Sequence, residues 1–93
     1  MKTHDLKIWP EYYQAILAGY KTFEARVNDR DFAVGDTLRL KEYNPVMNAF
    51  TGSSLEVKVT YLLDSPKFCA PGVVILGFRH HVCNKNLPLA TDA

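Results

Sequence analysis

A short stretch after the first predicted helix carries side chains whose types and spacing could bind an anionic ligand: Lys21, Thr22, Glu24 and Arg26. Alternate side chains of a β-strand share one face, so Glu24 and Arg26 would project together, about 6.5–7 Å apart along the backbone. Arg26 can make a planar bidentate contact with a phosphate or a base edge, and Lys21 supplies a mobile positive charge. Glu24 can accept a hydrogen bond from an exocyclic amine or position a water. We therefore take this cluster as the candidate site.

The same spacing also fits a purely structural interpretation. Lys, Glu and Arg side chains on a solvated strand face form weak ion pairs that contribute about 0–1 kcal/mol each. Spacing alone favours this structural interpretation, so the functional one depends on the rest of the sequence.

Aromatic side chains are more numerous than a core of this size needs, with one Trp, five Tyr and five Phe. Tyr13 and Tyr20 are expected to pack the helix on the sheet. Trp9, Tyr43 and Phe50 lie near predicted turns and could form a wall on which a base stacks, worth about 1–3 kcal/mol per base.

A metal site could be imagined at His80, His81 and Cys83, with Cys69 upstream. Their spacing matches no closed zinc pattern, and the chain has no CxxC pair. The sequence contains neither a Gly-rich phosphate loop nor an arrangement typical of a Ser/His/Asp triad. We therefore predict no metal and no cofactor.

The elements that would position these residues begin with a helix over residues 10–19. Pro10 suits the first helical position, and Gly19 supplies the left-handed residue that ends the helix. The apolar stripe of this helix consists of Tyr13, Ile16, Leu17 and Tyr20. This pattern predicts a short amphipathic helix laid against a sheet.

Four further segments have the pattern of β-strands, three with alternating and one with continuous apolar residues. They cover residues 21–27, 37–43, 55–63 and 73–78. The side chains expected to be purely structural are Leu38, Leu40, Val57, Val59, Val74 and Leu76. One helix followed by strands in hairpin-like succession predicts an α+β fold with a mostly antiparallel, closed sheet.

The strand over residues 21–27 has an apolar face and a polar face. Its apolar side chains, Phe23, Ala25 and Val27, point one way, opposite to Thr22, Glu24 and Arg26. The candidate site residues alternate with them, and the structural interpretation of the cluster takes their face to be solvated.

Length and charge limit the kinds of protein that this chain can be. At 93 residues it is expected to form one domain, over residues 1–80, with a flexible tail over 81–93. Its net charge of +1 argues against a protein that coats long nucleic acids, but leaves open a pocket that grips one or a few nucleotides. No apolar run resembles a signal peptide or a membrane span, which predicts a cytoplasmic protein with reduced thiols and no membrane partner.

With these residues in view, the sequence resembles the ASCH domain superfamily, and in particular a small bacterial and phage branch of it. The resemblance rests on the pattern G-x-K-x-x-E-x-R over residues 19–26 and on V-G-D over 34–36, and it extends from His4 to Phe78. It implies a PUA-like β-barrel with one N-terminal amphipathic helix, and a cleft beside that helix in which RNA or nucleotides bind.

The resemblance implies that the chain is an RNA-, nucleotide- or nucleoside-binding module. The residues expected to contact the ligand are Lys21, Thr22, Glu24, Arg26, Arg30, Trp9 and Tyr43. If the chain is an enzyme, Lys21 and Glu24 are its catalytic residues and act as an acid/base pair.

Two alternatives stay open. One is a small hydrolase in the same cleft, either a ribonuclease or an amidohydrolase that acts on acetylated cytidine, as in one branch of the superfamily. That branch looks to use a lysine, a threonine and a more distal glutamate. Lys21 matches the lysine, but Glu24 stands in the place of the threonine, and the distal glutamate has no match. The other alternative is an accessory protein that acts through a protein partner.

Overall fold

The computed structural model describes residues 1–79 of the 93-residue chain. Within this range the elements are, in chain order, β1 (Thr3–Ile8), α1 (Pro10–Leu17), β2 (Phe23–Val27), β3 (Thr37–Asn44), β4 (Ala49–Leu63) and β5 (Val73–Phe78). This part of the chain holds no helix that is long and apolar enough to cross a membrane. The predicted tail over residues 81–93 and the metal candidates His80, His81 and Cys83 lie outside the described residues.

The five strands form one mixed sheet in the order β1-β3-β4-β5-β2. β1 runs parallel to β3, and the other three strand pairs are antiparallel. β1 and β2 are therefore the two edges, and no backbone pairing joins them within residues 1–79. The predicted closed sheet, and with it the PUA-like β-barrel, is wrong because the sheet stays open along this seam. The predicted α+β class is also wrong, because the described residues form five strands and one helix of eight residues.

The helix is not the N-terminal amphipathic element that the sequence predicted. β1 precedes it, and among its eight residues only Tyr13 and Ile16 are buried. The helix ends at Leu17, so Tyr20 lies beyond it and is exposed. It ends there because Gly19 takes a left-handed φ of 89°, which stops the helix before the last position of the predicted stripe.

β1 is the strand that sequence analysis missed. Its residues alternate between exposed and buried, with His4, Leu6 and Ile8 facing the core. A histidine at the first inward position interrupts the apolar alternation, and only two apolar inward positions follow it. Tertiary pairing with β3 along the whole strand therefore holds β1 in place, since local propensity alone is weak for such a segment.

The core lies on the inward face of the sheet, where α1 packs against it. The six side chains predicted to be purely structural are all buried there: Leu38, Leu40, Val57, Val59, Val74 and Leu76. This part of the prediction is confirmed, because period-2 alternation specifies which face of a half-buried strand is inward.

Truncating one of these side chains should be costly. Leu40 lies in the central part of the sheet and is fully buried, so Leu40→Ala is expected to lower the free energy of unfolding by about 2–5 kcal/mol. Urea denaturation measures the change, with Val46→Ala as the control, since Val46 is exposed in the turn between β3 and β4. Equal effects of the two substitutions would contradict the assigned core.

Candidate functional site

The inward face of β2 carries the polar residues of the predicted cluster. Glu24 is buried, with 8% of its surface exposed, and Arg26 is half-buried. The apolar residues that alternate with them point outward: Phe23 is half exposed, Ala25 is exposed and Val27 is 62% exposed. The predicted alternation is therefore confirmed, and the solvated polar face that the structural interpretation assumed is wrong. Because β2 is an edge strand, its inward polar side chains lie beside the open seam instead of inside the packed core.

Glu24 is the centre of the cluster. Its Oε1 accepts a hydrogen bond from Nζ of Lys21 at 2.7 Å, and its Oε2 accepts one from Nε of Arg26 at 3.0 Å. Each carboxylate oxygen is therefore held by a cation, and all three side chains are mostly shielded from water. Hydrogen bonds between charged groups are stronger in such a partly desolvated place than on a solvated face. The cluster is consequently a well-ordered unit.

The C-terminal cap of α1 sets the position of Lys21. Gly19 adopts the left-handed conformation, and the two backbone bonds of a Schellman motif close the cap. The N–H of Lys21 also donates to the carbonyl oxygen of Ala15, at 3.1 Å. The lysine therefore leaves the cap in a fixed direction, and its Nζ donates to Phe23 O as well as to Glu24.

Two arginines bridge the seam between the edge strands. Arg26 donates from Nη2 to the backbone oxygen of Lys7 in β1, and Arg30 donates from Nη1 to the backbone oxygen of Asp5, at 2.6 Å. Asp5 and Lys7 are alternate residues of β1, so both carbonyl groups point to the same side of the strand. The guanidinium groups lie where a closed barrel would have hydrogen bonds between the backbones of β1 and β2. Because a guanidinium has five N–H donors, both arginines retain donors for a ligand.

A cleft of about 570 Å³ opens at this seam. Lys7, Trp9 and Tyr12 line it on the side of β1 and α1, while Arg26 and Arg30 line it on the side of β2. The rings of Trp9 and Tyr12 lie within 17° of parallel, with centroids 6.4 Å apart. The cleft therefore has a cationic side and an aromatic side.

A smaller hollow of about 230 Å³ adjoins the cleft, and both are lined by Tyr12, Glu24 and Ala25. Lys21 also lines the hollow, and its Nζ lies 5.6 Å from the ring centre of Tyr12 and 4.8 Å from that of Phe23. Both distances are within the range of cation–π attraction. The ammonium group of Lys21 is thus held by two rings and a carboxylate at the margin of the cleft.

The structure brings together five of the predicted ligand-binding residues around the cleft and the hollow: Lys21, Glu24, Arg26, Arg30 and Trp9. Thr22 and Tyr43 do not line either of them. Thr22 is exposed just before β2, and the ring of Tyr43 packs against that of Phe50, on the outer face of the sheet.

Lys7 and Tyr12 also line the cleft, and neither is among the predicted ligand-binding residues. Lys7 belongs to β1, and the alternation of Leu6 and Ile8 around it was the available signal. Tyr12 precedes the buried Tyr13 in the helix, and no pattern in the sequence marks it as part of a site.

A buried hydrogen-bonded pair fixes the start of β3 against β1. Oδ2 of Asp36 accepts a hydrogen bond from Nε2 of His4 at 2.8 Å, and both side chains are buried. The carboxylate also accepts from the backbone N–H groups of Lys2 and Ala33, each at 3.1 Å. The hydrogen bond from His4 is the largest of the effects that lower the pKa of Asp36 to about 2. This pair anchors β1, whose carbonyl groups accept the hydrogen bonds of the seam.

A second buried carboxylate ties α1 to the sheet. Glu42 lies where β3 shifts its register against β4. One of its oxygens accepts from Nε2 of Gln14 at 3.3 Å, and the other accepts from Oγ1 of Thr51 at 2.7 Å. Glu42 therefore joins α1, β3 and β4, and so helps to set where Trp9 and Tyr12 stand beside the cleft.

The arrangement combines charge and aromatic surface that a nucleotide would need. Arg26 and Arg30 can neutralise an anionic group, against the carboxylates of Glu24 and Asp29 in the same lining. The rings on the opposite side are flat apolar surfaces on which a base can stack. With both oxygens bound by cations, Glu24 is placed to orient Lys21 and Arg26.

Two comparisons with known proteins match this chain. Residues 3–78 match the family model of DUF3850, which is described as a domain of unknown function. The chain is also 33% identical over 88 residues to an uncharacterised 12.9 kDa protein in the GpA 3′ region of Escherichia phage P2. That match covers 95% of this chain and 75% of the phage protein. The family match runs from the start of β1 to the end of β5, and so includes the five strands of the described residues and all the residues that line the cleft.

Proposed function

The chain belongs to the DUF3850 family, and we propose that it binds RNA or a nucleotide in the cleft between β1 and β2. One observation carries this proposal. An edge strand turns its polar residues inward and its apolar residues outward, and buries Glu24 between Lys21 and Arg26 beside the cleft. A strand with only a structural role would bury its apolar face, because that burial is the main stabilising contribution.

The dimensions and charges of the cleft agree with this ligand class. Its volume of about 570 Å³ lies within the roughly 300–1,000 Å³ of small-molecule sites. The remaining N–H donors of Arg26 and Arg30 suit a phosphate group, which arginine binds in a planar, bidentate manner. Trp9 is half exposed and offers its ring to a base.

The resemblance of residues 19–26 to the ASCH pattern supports the same ligand class. That resemblance concerns the residues of the site, and the open sheet excludes the closed barrel. A cytoplasmic location goes with the proposal, since RNA and nucleotides are available there and the free thiol of Cys69 would stay reduced.

A hydrolase that uses Lys21 and Glu24 is the second candidate. A general base needs a carboxylate oxygen that can take a proton from water or from a hydroxyl group. Both oxygens of Glu24 already accept hydrogen bonds from cations, which favours an orienting role for this residue. Thr22 offers no replacement for the missing nucleophile, because it lies outside the cleft and the hollow. Binding is therefore the proposed function.

A protein partner is the third candidate, and the outward face of β2 is the observation that favours it. Phe23 and Val27 are exposed there, and so is Tyr61 of β4, which pairs with Gly77 of β5 as Phe23 does. Exposed apolar side chains that lie together are typical of an interaction surface. This surface is on the opposite face of β2 from Glu24, so the same protein could use both.

Removing the guanidinium group of Arg30 tests the proposed site. Arg30→Ala should weaken binding of a nucleoside monophosphate by about 10–100-fold, because a charge-assisted hydrogen bond contributes roughly 1.5–3 kcal/mol. It should leave binding of the corresponding nucleoside unchanged, since that ligand has no phosphate. Calorimetric titration with nucleosides (acetylated cytidine included) and their monophosphates measures both effects.

Lys67→Ala is the matched control, because Lys67 is an exposed cation in the segment between β4 and β5, and it does not line the cleft. Product analysis of the same samples separates a binder from a hydrolase. The proposal fails if wild-type protein binds none of these ligands and no short RNA, or if both variants lose affinity equally.

A further inference from the structure

The outer face of the sheet carries a second aromatic and cationic surface next to the cleft. We call it the outer platform, and it consists of Lys7, Lys41, Tyr43 and Phe50. The rings of Tyr43 and Phe50 are register partners in β3 and β4, with centroids 5.1 Å apart and planes at 73°. Phe50 is 54% exposed, so about half of its surface is accessible to a ligand.

Two ammonium groups lie over these rings. Nζ of Lys7 is 4.3 Å from the ring centre of Tyr43 and 5.9 Å from that of Phe50. Nζ of Lys41 is 5.7 Å from the ring centre of Phe50. Lys41 also lies 3.7 Å from a carboxylate oxygen of Asp5, while Lys7 has no salt bridge among the described residues. The outer platform therefore pairs stacking surface with positive charge, the combination that single-stranded nucleic acids need.

Lys7 connects the outer platform with the cleft. Its backbone oxygen accepts a hydrogen bond from Arg26 beside the cleft, and its ammonium group lies over the Tyr43 ring of the platform. A phosphate near Lys7 would be shared between a nucleotide in the cleft and the next nucleotide on the platform. Neither Tyr43 nor Phe50 lines the cleft, so the platform is a separate contact surface.

From this continuity we infer that the ligand is single-stranded RNA that extends out of the cleft, with a second base stacked on Phe50. This inference rests on the proposed function and adds to it the length of the ligand. A free nucleotide would occupy the cleft alone. An RNA strand would gain the platform contacts as well, so its affinity should rise with length.

Affinity measured against ligand length tests the inference. Uridine monophosphate and the oligouridylates of three and six nucleotides are titrated calorimetrically into wild-type protein, Phe50→Ala and Phe50→Leu. We expect wild-type protein to bind the hexamer at least about tenfold more tightly than the mononucleotide, since a stacked base contributes roughly 1–3 kcal/mol. Both Phe50 variants should lose most of this gain and keep the mononucleotide affinity. Phe50→Leu retains apolar volume, so it separates stacking from any loss of stability.

Phe68→Ala is the matched control. Phe68 is also an exposed phenylalanine with a lysine over its ring, Lys67 at 5.7 Å, but it lies between β4 and β5 and does not line the cleft. The affinity of the Phe68→Ala variant should rise with ligand length as much as that of wild-type protein. If wild-type protein binds the mononucleotide but its affinity does not rise with ligand length, the platform is not a binding surface. The same conclusion follows if Phe50→Leu keeps the rise in affinity, and in both cases the cleft remains the proposed site. If wild-type protein binds neither the mononucleotide nor the RNA, the proposed function itself is wrong.

Discussion

Replacing Asp36 with alanine is expected to lower the free energy of unfolding by about 3–5 kcal/mol. The substitution removes the acceptor of three hydrogen bonds, from His4 and from the backbone N–H groups of Lys2 and Ala33. The carboxylate and the His4 ring are buried, so water cannot easily replace the lost acceptor, and a buried donor left without an acceptor costs about 1–3 kcal/mol. Urea denaturation at neutral pH measures the change. Asp64→Ala is the control, since Asp64 is exposed after β4, and it should change stability by less than about 0.5 kcal/mol.

The same carboxylate predicts how stability depends on pH. The hydrogen bond from His4, with those from the backbone, lowers the pKa of Asp36 from 3.8 to about 2 in the folded protein. A carboxyl group whose pKa is lower when folded stabilises the fold above its unfolded pKa, and this contribution is lost as the pH falls towards the folded value. Wild-type protein should therefore lose stability between about pH 4 and pH 2. The Asp36→Ala variant should lack this part of the loss, and an unchanged pH profile would contradict the assignment.

Local sequence patterns predicted the elements whose stability depends on their own periodicity. Leu38, Leu40, Val57 and Val59 lie inward as expected, because alternating apolar residues specify a half-buried strand. The left-handed glycine at the end of the helix was also predicted correctly. These features depend on neighbours in the sequence, which is why they could be derived from it.

The errors concern contacts between distant parts of the chain. β1 is specified by its parallel pairing with β3, about thirty residues away. Its own sequence has a weaker apolar alternation than β3 and β4 have. Whether the sheet closes depends on how its edges meet, and here Arg26 and Arg30 bridge them through side chains. The prediction of a closed barrel assumed that a short sheet removes its edges by backbone pairing.

The direction of β2 shows how the same limit affects the candidate site. An apolar inward face is the usual arrangement, and the structural interpretation of Glu24 and Arg26 assumed a solvated polar face. The structure buries Glu24 instead, because β2 is an edge strand beside a cleft. Protein sequences depart from the usual burial pattern mainly at functional sites. The inward polar face of β2 is therefore itself an argument for function.

Removing the side chain of Arg26 should have the largest effect on ligand binding. Arg26→Ala is expected to weaken nucleotide binding by about 30–1,000-fold, or roughly 2–4 kcal/mol, because it removes a cation from the cleft and frees Glu24 Oε2. The seam would also lose its bond to Lys7 O, so the free energy of unfolding should fall by about 1 kcal/mol. Calorimetric titration with a mononucleotide and urea denaturation measure the two effects separately.

Arg26→Lys distinguishes geometry from charge. A lysine keeps the positive charge, but one ammonium group cannot reproduce the planar fork that donates to Glu24 from Nε and to Lys7 from Nη2. We therefore expect Arg26→Lys to lose at least about tenfold in affinity. Arg39→Ala is the matched control, because Arg39 also binds carboxylates, of Asp5 and Glu56, each at 3.0 Å, but does not line the cleft. If Arg26→Lys bound the mononucleotide like wild-type protein, charge alone would account for the site and the fork would have no role in binding.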